Sequence, residues 1–166
     1  MTGPFVIEAL GPSHDRAGFS CGVEALDRYL REQATQDVRR RATACYVAVE
    51  ASSATVAGFY TLAAAGVPLS DLPAEIAKRL PRYPSVPVAR IGRLAVGQGH
   101  RGRKLGSALL WDAVARSLRS EIAVFALVVD AKDEAAEAFY RHHGFVLLRD
   151  QARQLVLPLA KLAGRI

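Results

Sequence analysis

The chain has 166 residues, a formal net charge of +6 and a hydrophobic share of 51%, which fits one domain with one core and excludes an intrinsically disordered chain. Its longest unbroken apolar run, residues 122–129, is far short of the roughly 20 residues of a bilayer span. The N-terminus carries Glu8 and Asp15 in place of a basic-then-apolar leader, so no membrane association is expected and the compartment is a reducing cytoplasm.

In chain order, residues 5–10 (FVIEAL) read as a strand closed by Gly11-Pro12. A helix follows Ser20-Cys21-Gly22, with Val23, Leu26, Tyr29 and Leu30 on one face and Glu24, Asp27, Arg28, Arg31 and Glu32 on the other. Arg39, Arg40 and Arg41 lie at its end, where positive charge suits the helix dipole. Residues 44–50 and 55–63 form a hairpin. Ser70 caps a short helix over 71–80, and Pro81, Pro84 and Pro87 interrupt regular structure. A strand over 88–96 ends at Gly97-Gln98-Gly99. The helix over 103–118 carries Leu105, Leu109, Leu110 and Val114 on one face, with Trp111 on its buried side. Residues 122–130 are apolar on both faces, as in a doubly covered central strand. A helix over 132–142, stopped by Gly144, and strands over 145–148 and 154–157 complete the chain. This order predicts a single three-layer α/β sandwich over residues 1–166, a mainly antiparallel twisted sheet with helices on both faces.

The chemistry concentrates where the strand Ile91-Gly92-Arg93-Leu94-Ala95-Val96 runs into Gln98-Gly99-His100-Arg101-Gly102-Arg103-Lys104-Leu105-Gly106 and a helix. A strand, a glycine-rich loop and a helix N-terminus cradle an anion, because loop amides and orphan helix N–H groups converge on it. Gly99, Gly102 and Gly106 admit close approach, and Arg101, Arg103 and Lys104 add charge; the alternative is an ordinary strand-to-helix turn with basic solvent-facing residues. Neither the nucleotide P-loop order nor G-x-G-x-x-G is present. Arg101 to Gly106 resembles the pyrophosphate loop of GNAT acetyltransferases, (Gln/Arg)-x-x-Gly-x-(Gly/Ala), in its first and last places, with Lys104 where that family has glycine. Asp133-Glu134-Ala135-Ala136-Glu137-Ala138-Phe139-Tyr140-Arg141-His142-His143-Gly144-Phe145 is similar to the family stretch in which Asn or Asp opens a helix ending in Phe-Tyr, followed by Gly-Phe.

The resemblance implies a GNAT fold and acetyl-CoA as co-substrate. It places the backbone of Leu94, Ala95 and Val96 along pantetheine and Arg101, Gly102, Arg103, Lys104, Leu105, Gly106 and Asp133 at the cofactor. Tyr140 takes the position of the general acid that protonates the departing thiolate. Phe19-Ser20-Cys21-Gly22 with Leu26-Asp27-Arg28-Tyr29-Leu30, Gly58 to Leu62, Leu80 to Pro84 and Gly92 to Val96 are similar to GNAT toxins of bacterial toxin–antitoxin pairs. That narrower resemblance implies acetylation of the α-amine of aminoacyl-tRNA, a block of translation, and neutralisation by a small DNA-binding antitoxin of ribbon-helix-helix type; a homodimer is compatible with it.

The excess of arginine over lysine suits phosphate oxygens, and Arg39, Arg40, Arg41, Arg90 and Arg93 are the expected RNA contacts. The strand over 88–96 holds no carboxylate. A lysine side chain, of pKa about 10.4, needs a base more than an α-amine of pKa about 8 does, so the missing base favours an α-amine acceptor. Two rival readings remain: a GNAT for a small amine, an antibiotic or a protein N-terminus, and a non-catalytic acetyl-CoA-binding module. Cys21 and Cys45 read as reduced core thiols, His14 and His100 as surface residues, and His142 and His143 as helix-end cations. No metal site is expected.

Overall fold

A computed structural model of the chain describes residues 5–165. Its strands are β1 (Phe5–Ala9), β2 (Ala44–Glu50), β3 (Val56–Pro68), β4 (Ser85–Val96), β5 (Ala126–Asp130), β6 (Val146–Leu147) and β7 (Gln154–Pro158). They form a seven-stranded sheet in the order β1-β2-β3-β4-β5-β7-β6. Pairing is antiparallel for β1–β2, β2–β3, β5–β7 and β6–β7 and parallel for β4–β5, so the sheet is mixed and mostly antiparallel. Flanking helices are α1 (Glu24–Arg28), α2 (Ala34–Arg39), α3 (Ala74–Ala77), α4 (Leu105–Arg119) and α5 (Glu134–His142), with a π-helical turn, Tyr29–Gln33, joining α1 to α2. The chain divides into two compact units, residues 1–63 with 92–113 and residues 64–91 with 114–166, and the boundaries fall within β3, β4 and α4.

In the first unit, the apolar stripe of the helical run is buried as its spacing predicts: Tyr29, Leu30 and Ala34 pack with Phe19, Val47 and Phe59. Each large side chain taken fully from water contributes about 1.5–3 kcal/mol. Asp27, expected on the outer face, is buried instead. Its carboxylate accepts the Cys21 amide at 2.8 Å, which satisfies a charge that burial would otherwise penalise. Trp111 is the reverse case: it is 39% exposed, on the outer side of α4 rather than the buried one.

In the second unit, Leu72, Val86, Val88, Val128 and Val156 form one cluster. Ala126 to Val129 are all buried, which bears out a central strand, but β5 starts at Ala126 and Ile122 is 77% exposed. Pro87, expected to break structure, lies within β4, where its carbonyl accepts the Phe125 amide at 2.8 Å. Proline lacks only the donor, so a strand can use its acceptor side. The helix expected over 71–80 contracts to α3 behind a 3-10 turn, Leu69–Asp71. No helix among the described residues is long and apolar enough to cross a membrane.

Candidate active site

The β4–β5 ladder runs from Val88↔Ala126 to Ile91↔Val129, and β4 continues past it through Gly92–Val96. Thr61, itself buried, steadies that extension by accepting the Arg93 amide at 3.0 Å. The chain then makes a 3-10 turn, Gln98–His100, and a loop over 101–104 before α4 begins. Gly102 and Lys104 both take left-handed backbone, at φ 79° and 61°. The residue that replaces the family's glycine therefore keeps a glycine-like conformation, at a cost of about 1 kcal/mol for the Cβ. Its carbonyl accepts the Ala108 amide at 3.1 Å and so opens α4. A Cβ built on Gly99 or Gly102 would meet nothing within 4 Å, so both backbones face open space.

The loop is held from far away in sequence. Arg101 donates to the Cys21 carbonyl, the Gln98 amide donates to the Ser20 carbonyl at 2.8 Å, and the Ser20 hydroxyl donates to Gln98 Oε1 at 3.1 Å. Gly22 has φ +92°, and a Cβ there would come within 2.9 Å of Gln98 Nε2. His100 Nε2 lies 2.8 Å from Glu50 Oε1, and the Arg103 guanidinium sits 4.6 Å from the centroid of the Phe5 ring. Of the residues expected at the cofactor, Arg101 thus has one of its five N–H donors committed to the protein. Ala95 and Leu105 bury their side chains in the core, leaving backbone groups for a ligand. Ser20, Gly22 and Glu50 are supports that sequence reasoning missed, with the Phe19-Ser20-Cys21-Gly22 stretch the trace of the first two, while Gln98 and His100 lay within the loop segment but carried no expected role.

In the second unit, Tyr140 lies on α5, 6% exposed, with Phe139 and Phe145 edge-on at 5.1 and 5.4 Å between ring centroids. Burial alone pushes its phenol up to about 12. Asp133, expected at the cofactor, caps α5 by accepting the Ala136 amide at 2.8 Å. The His143 ring donates Nδ1–H to the Phe139 carbonyl at 2.8 Å, and Gly144, at φ 98°, closes the helix.

Residues 12–145 match the family model of the acetyltransferase (GNAT) family. The chain belongs to the GNAT family. It is 33% identical over 159 residues, 95% of this chain and 93% of the relative, to the tRNA-acetylating toxin of Mycobacterium tuberculosis strain H37Rv. Among solved structures it is similar to AtaT complexed with acetyl-methionyl-tRNAfMet, at a TM-score of 0.88 and 27% identity over 95% of this chain and 96% of that one. A second similar structure is AtaTR bound with AcCoA, at a TM-score of 0.82 and 25% identity over 96% of each chain. The fold, the family and acetyl-CoA as its donor are those the two sequence signatures implied.

The arginines of this GNAT acetyltransferase that were expected to contact RNA have different surroundings. Arg39, Arg40 and Arg41 are exposed at the end of α2. Arg90 is ion-paired to Asp130 at 3.0 Å. Arg93 lies 3.5 Å over the Tyr29 ring, whose hydroxyl donates to Asp37 at 2.8 Å. Desolvation, then that hydrogen bond, hold the Tyr29 phenol well above its ordinary range. Cys21 and Cys45 are buried thiols outside any disulfide, and burial raises Cys45 to about 12, the opposite of a reactive cysteine. His14 and His100 are not surface residues: their side chains are 5% and 18% exposed, each against a glutamate. Because His14 Nδ1 accepts the Gly11 amide at 2.9 Å, its Nε2 carries the proton given to Glu8. No group of His, Cys, Asp and Glu able to hold a metal occurs among the described residues.

Proposed function

We propose that residues 1–166 act as one acetyltransferase domain that moves acetyl from acetyl-CoA to the α-amine of aminoacyl-tRNA, blocking translation as the toxin of a toxin–antitoxin pair. The observation that carries this reading is the 33% identity to a tRNA-acetylating toxin across 95% of the chain. The carboxylate-free strand β4 supports it independently. An α-amine, lower still in pKa when its carboxyl is esterified, presents neutral nitrogen without a base.

The loop fits the pyrophosphate. Two open glycines, a left-handed turn and the start of the 15-residue α4 present backbone N–H groups to anionic oxygen, and Lys104 adds a compact positive charge. Residues Leu94, Ala95 and Val96 would hold pantetheine along the extension of β4. A backbone N–H there would face the thioester oxygen where negative charge develops. Bound acetyl-CoA supplies the activated acetyl group. As the acceptor nitrogen bonds to the acetyl carbon and the carbon–sulfur bond breaks, Tyr140 gives its phenol proton to the departing sulfur and regains one from solvent. The nitrogen releases its extra proton to water. Burial keeps Tyr140 protonated throughout the neutral range, so the acid is always loaded.

The cytoplasm, where charged tRNA and acetyl-CoA both occur, is the place of action, and a small DNA-binding antitoxin of ribbon-helix-helix type is the partner that restrains it. The reading is tested with purified protein and labelled acetyl-CoA offered charged tRNA, deacylated tRNA and free small amines in parallel. Label on charged tRNA alone is the expected result. Efficient labelling of a small amine with none on charged tRNA would leave only the family assignment.

A further inference from the structure

In the second unit, a wide, open groove of about 560 Å³ is lined by Leu69, Leu72, Pro84, Tyr83, Arg82 and Arg149 among others. That volume is within the range of about 300–1,000 Å³ typical of small-ligand clefts. Two backbone hydrogen bonds build it: the Leu69 amide to the Pro84 carbonyl at 3.0 Å and the Arg149 amide to the Asp71 carbonyl at 2.8 Å. Tyr83 is 69% exposed, and Pro81 and Pro84 on either side limit the backbone freedom of the turn that presents it. A backbone held this way loses little further entropy when the exposed ring binds.

The charged side chains that line the groove have one sign. Arg82 and Arg149 are exposed, no described lining side chain is acidic, and the nearby Glu75 is paired with Lys78 at 2.8 Å. A second copy of the chain docking here about a twofold axis would bring like charges together, which disfavours self-association. An aromatic face beside arginine forks, over an apolar floor, is the combination that takes unpaired nucleotides: the ring stacks on a base and the guanidinium groups reach its phosphates.

We propose that the Tyr83 groove docks unpaired nucleotides of the RNA substrate, with Tyr83 as the stacking platform and Arg82 and Arg149 as phosphate contacts. The choice of tRNA as that RNA rests on the function proposed above.

The test measures binding of deacylated tRNA by fluorescence anisotropy, without acetyl-CoA, across a salt series. Tyr83→Ala should weaken binding by about tenfold, Tyr83→Trp should preserve it, and Arg149→Gln should reduce the salt slope by about one. The melting temperature and acetyl-CoA affinity of each variant should match the parent protein's. Equal tRNA affinity in parent and Tyr83→Ala protein overturns the proposal, as does a parent protein that binds no tRNA. A Tyr83→Ala protein that changes only its oligomeric state on sizing, with tRNA affinity intact, overturns it by assigning the groove to a second copy. Because acetylation is not read, a protein that binds tRNA through this groove yet fails to acetylate it sinks the proposed activity and leaves the groove standing.

Discussion

The loop over 98–104 and helix α5 present opposite solutions to holding a functional group in place. The loop is exposed, cationic and strained at Lys104, and its shape depends on residues as many as 80 positions away. Helix α5 is almost self-contained: Asp133 caps it three residues ahead, His143 and Gly144 close it, and Phe139 and Phe145 bury Tyr140. The difference is one of what fails when a residue is lost. A self-contained helix should lose chemistry or a measured amount of stability, whereas a loop braced at long range should lose ligand affinity.

The largest expected effect is on α5. Tyr140→Phe should lower kcat by about 10²- to 10⁴-fold with acetyl-CoA affinity nearly unchanged, measured by steady-state kinetics beside calorimetric binding; an active Phe variant would assign the ring to packing. The same residue has a pH signature. Burial raises its phenol from 10.0 to about 12, so the folded protein holds this proton more tightly than the unfolded chain. Stability should fall as pH rises from about 10 towards 12, and part of that fall should vanish in Tyr140→Phe when melting temperatures are compared.

Next is the brace of the loop. Arg101→Ala removes the contact to Cys21, and acetyl-CoA KM should rise by about tenfold while kcat at saturation changes less than threefold. Equal losses in kcat and kcat/KM would instead give Arg101 a role in the transition state. Asp133→Ala then separates a cap from a cofactor contact: a cap predicts a loss of about 1 kcal/mol in chemical denaturation and an unchanged acetyl-CoA KM. The smallest effect is expected at Lys104. Changing it to glycine relieves the left-handed Cβ and should leave stability within about 1 kcal/mol of the parent, on the favourable side. Acetyl-CoA affinity should fall modestly if the ammonium lies along a phosphate.

What sequence could show divides along the same line. The α5 signature was readable because cap, aromatic pair and closing glycine lie within thirteen consecutive residues and interact with one another. The glycine loop was readable as a chemical type, but its supports were not, because Ser20, Cys21 and Glu50 meet it only through the fold. The apolar run over 122–130 reads as strand throughout since hydrophobicity does not mark where a ladder begins; β5 starts at Ala126, after a turn in which the Ile122 amide donates to the Ser120 hydroxyl oxygen. Asp27 and Trp111 exchanged their expected places for a similar reason. A helical pattern assigns faces by polarity, while burial of Asp27 follows from the single amide of Cys21 that satisfies it.

The position of the transferred acetyl group tests the central claim most directly. After reaction of the protein with acetyl-CoA and charged tRNA, mild alkaline hydrolysis splits the ester to the ribose, and mass spectrometry identifies the released amino acid. The account predicts the N-α-acetyl amino acid, formed only with acetyl-CoA present and depleted in Tyr140→Phe. Recovery of unmodified amino acid, with acetyl retained on the RNA or absent altogether, would contradict it.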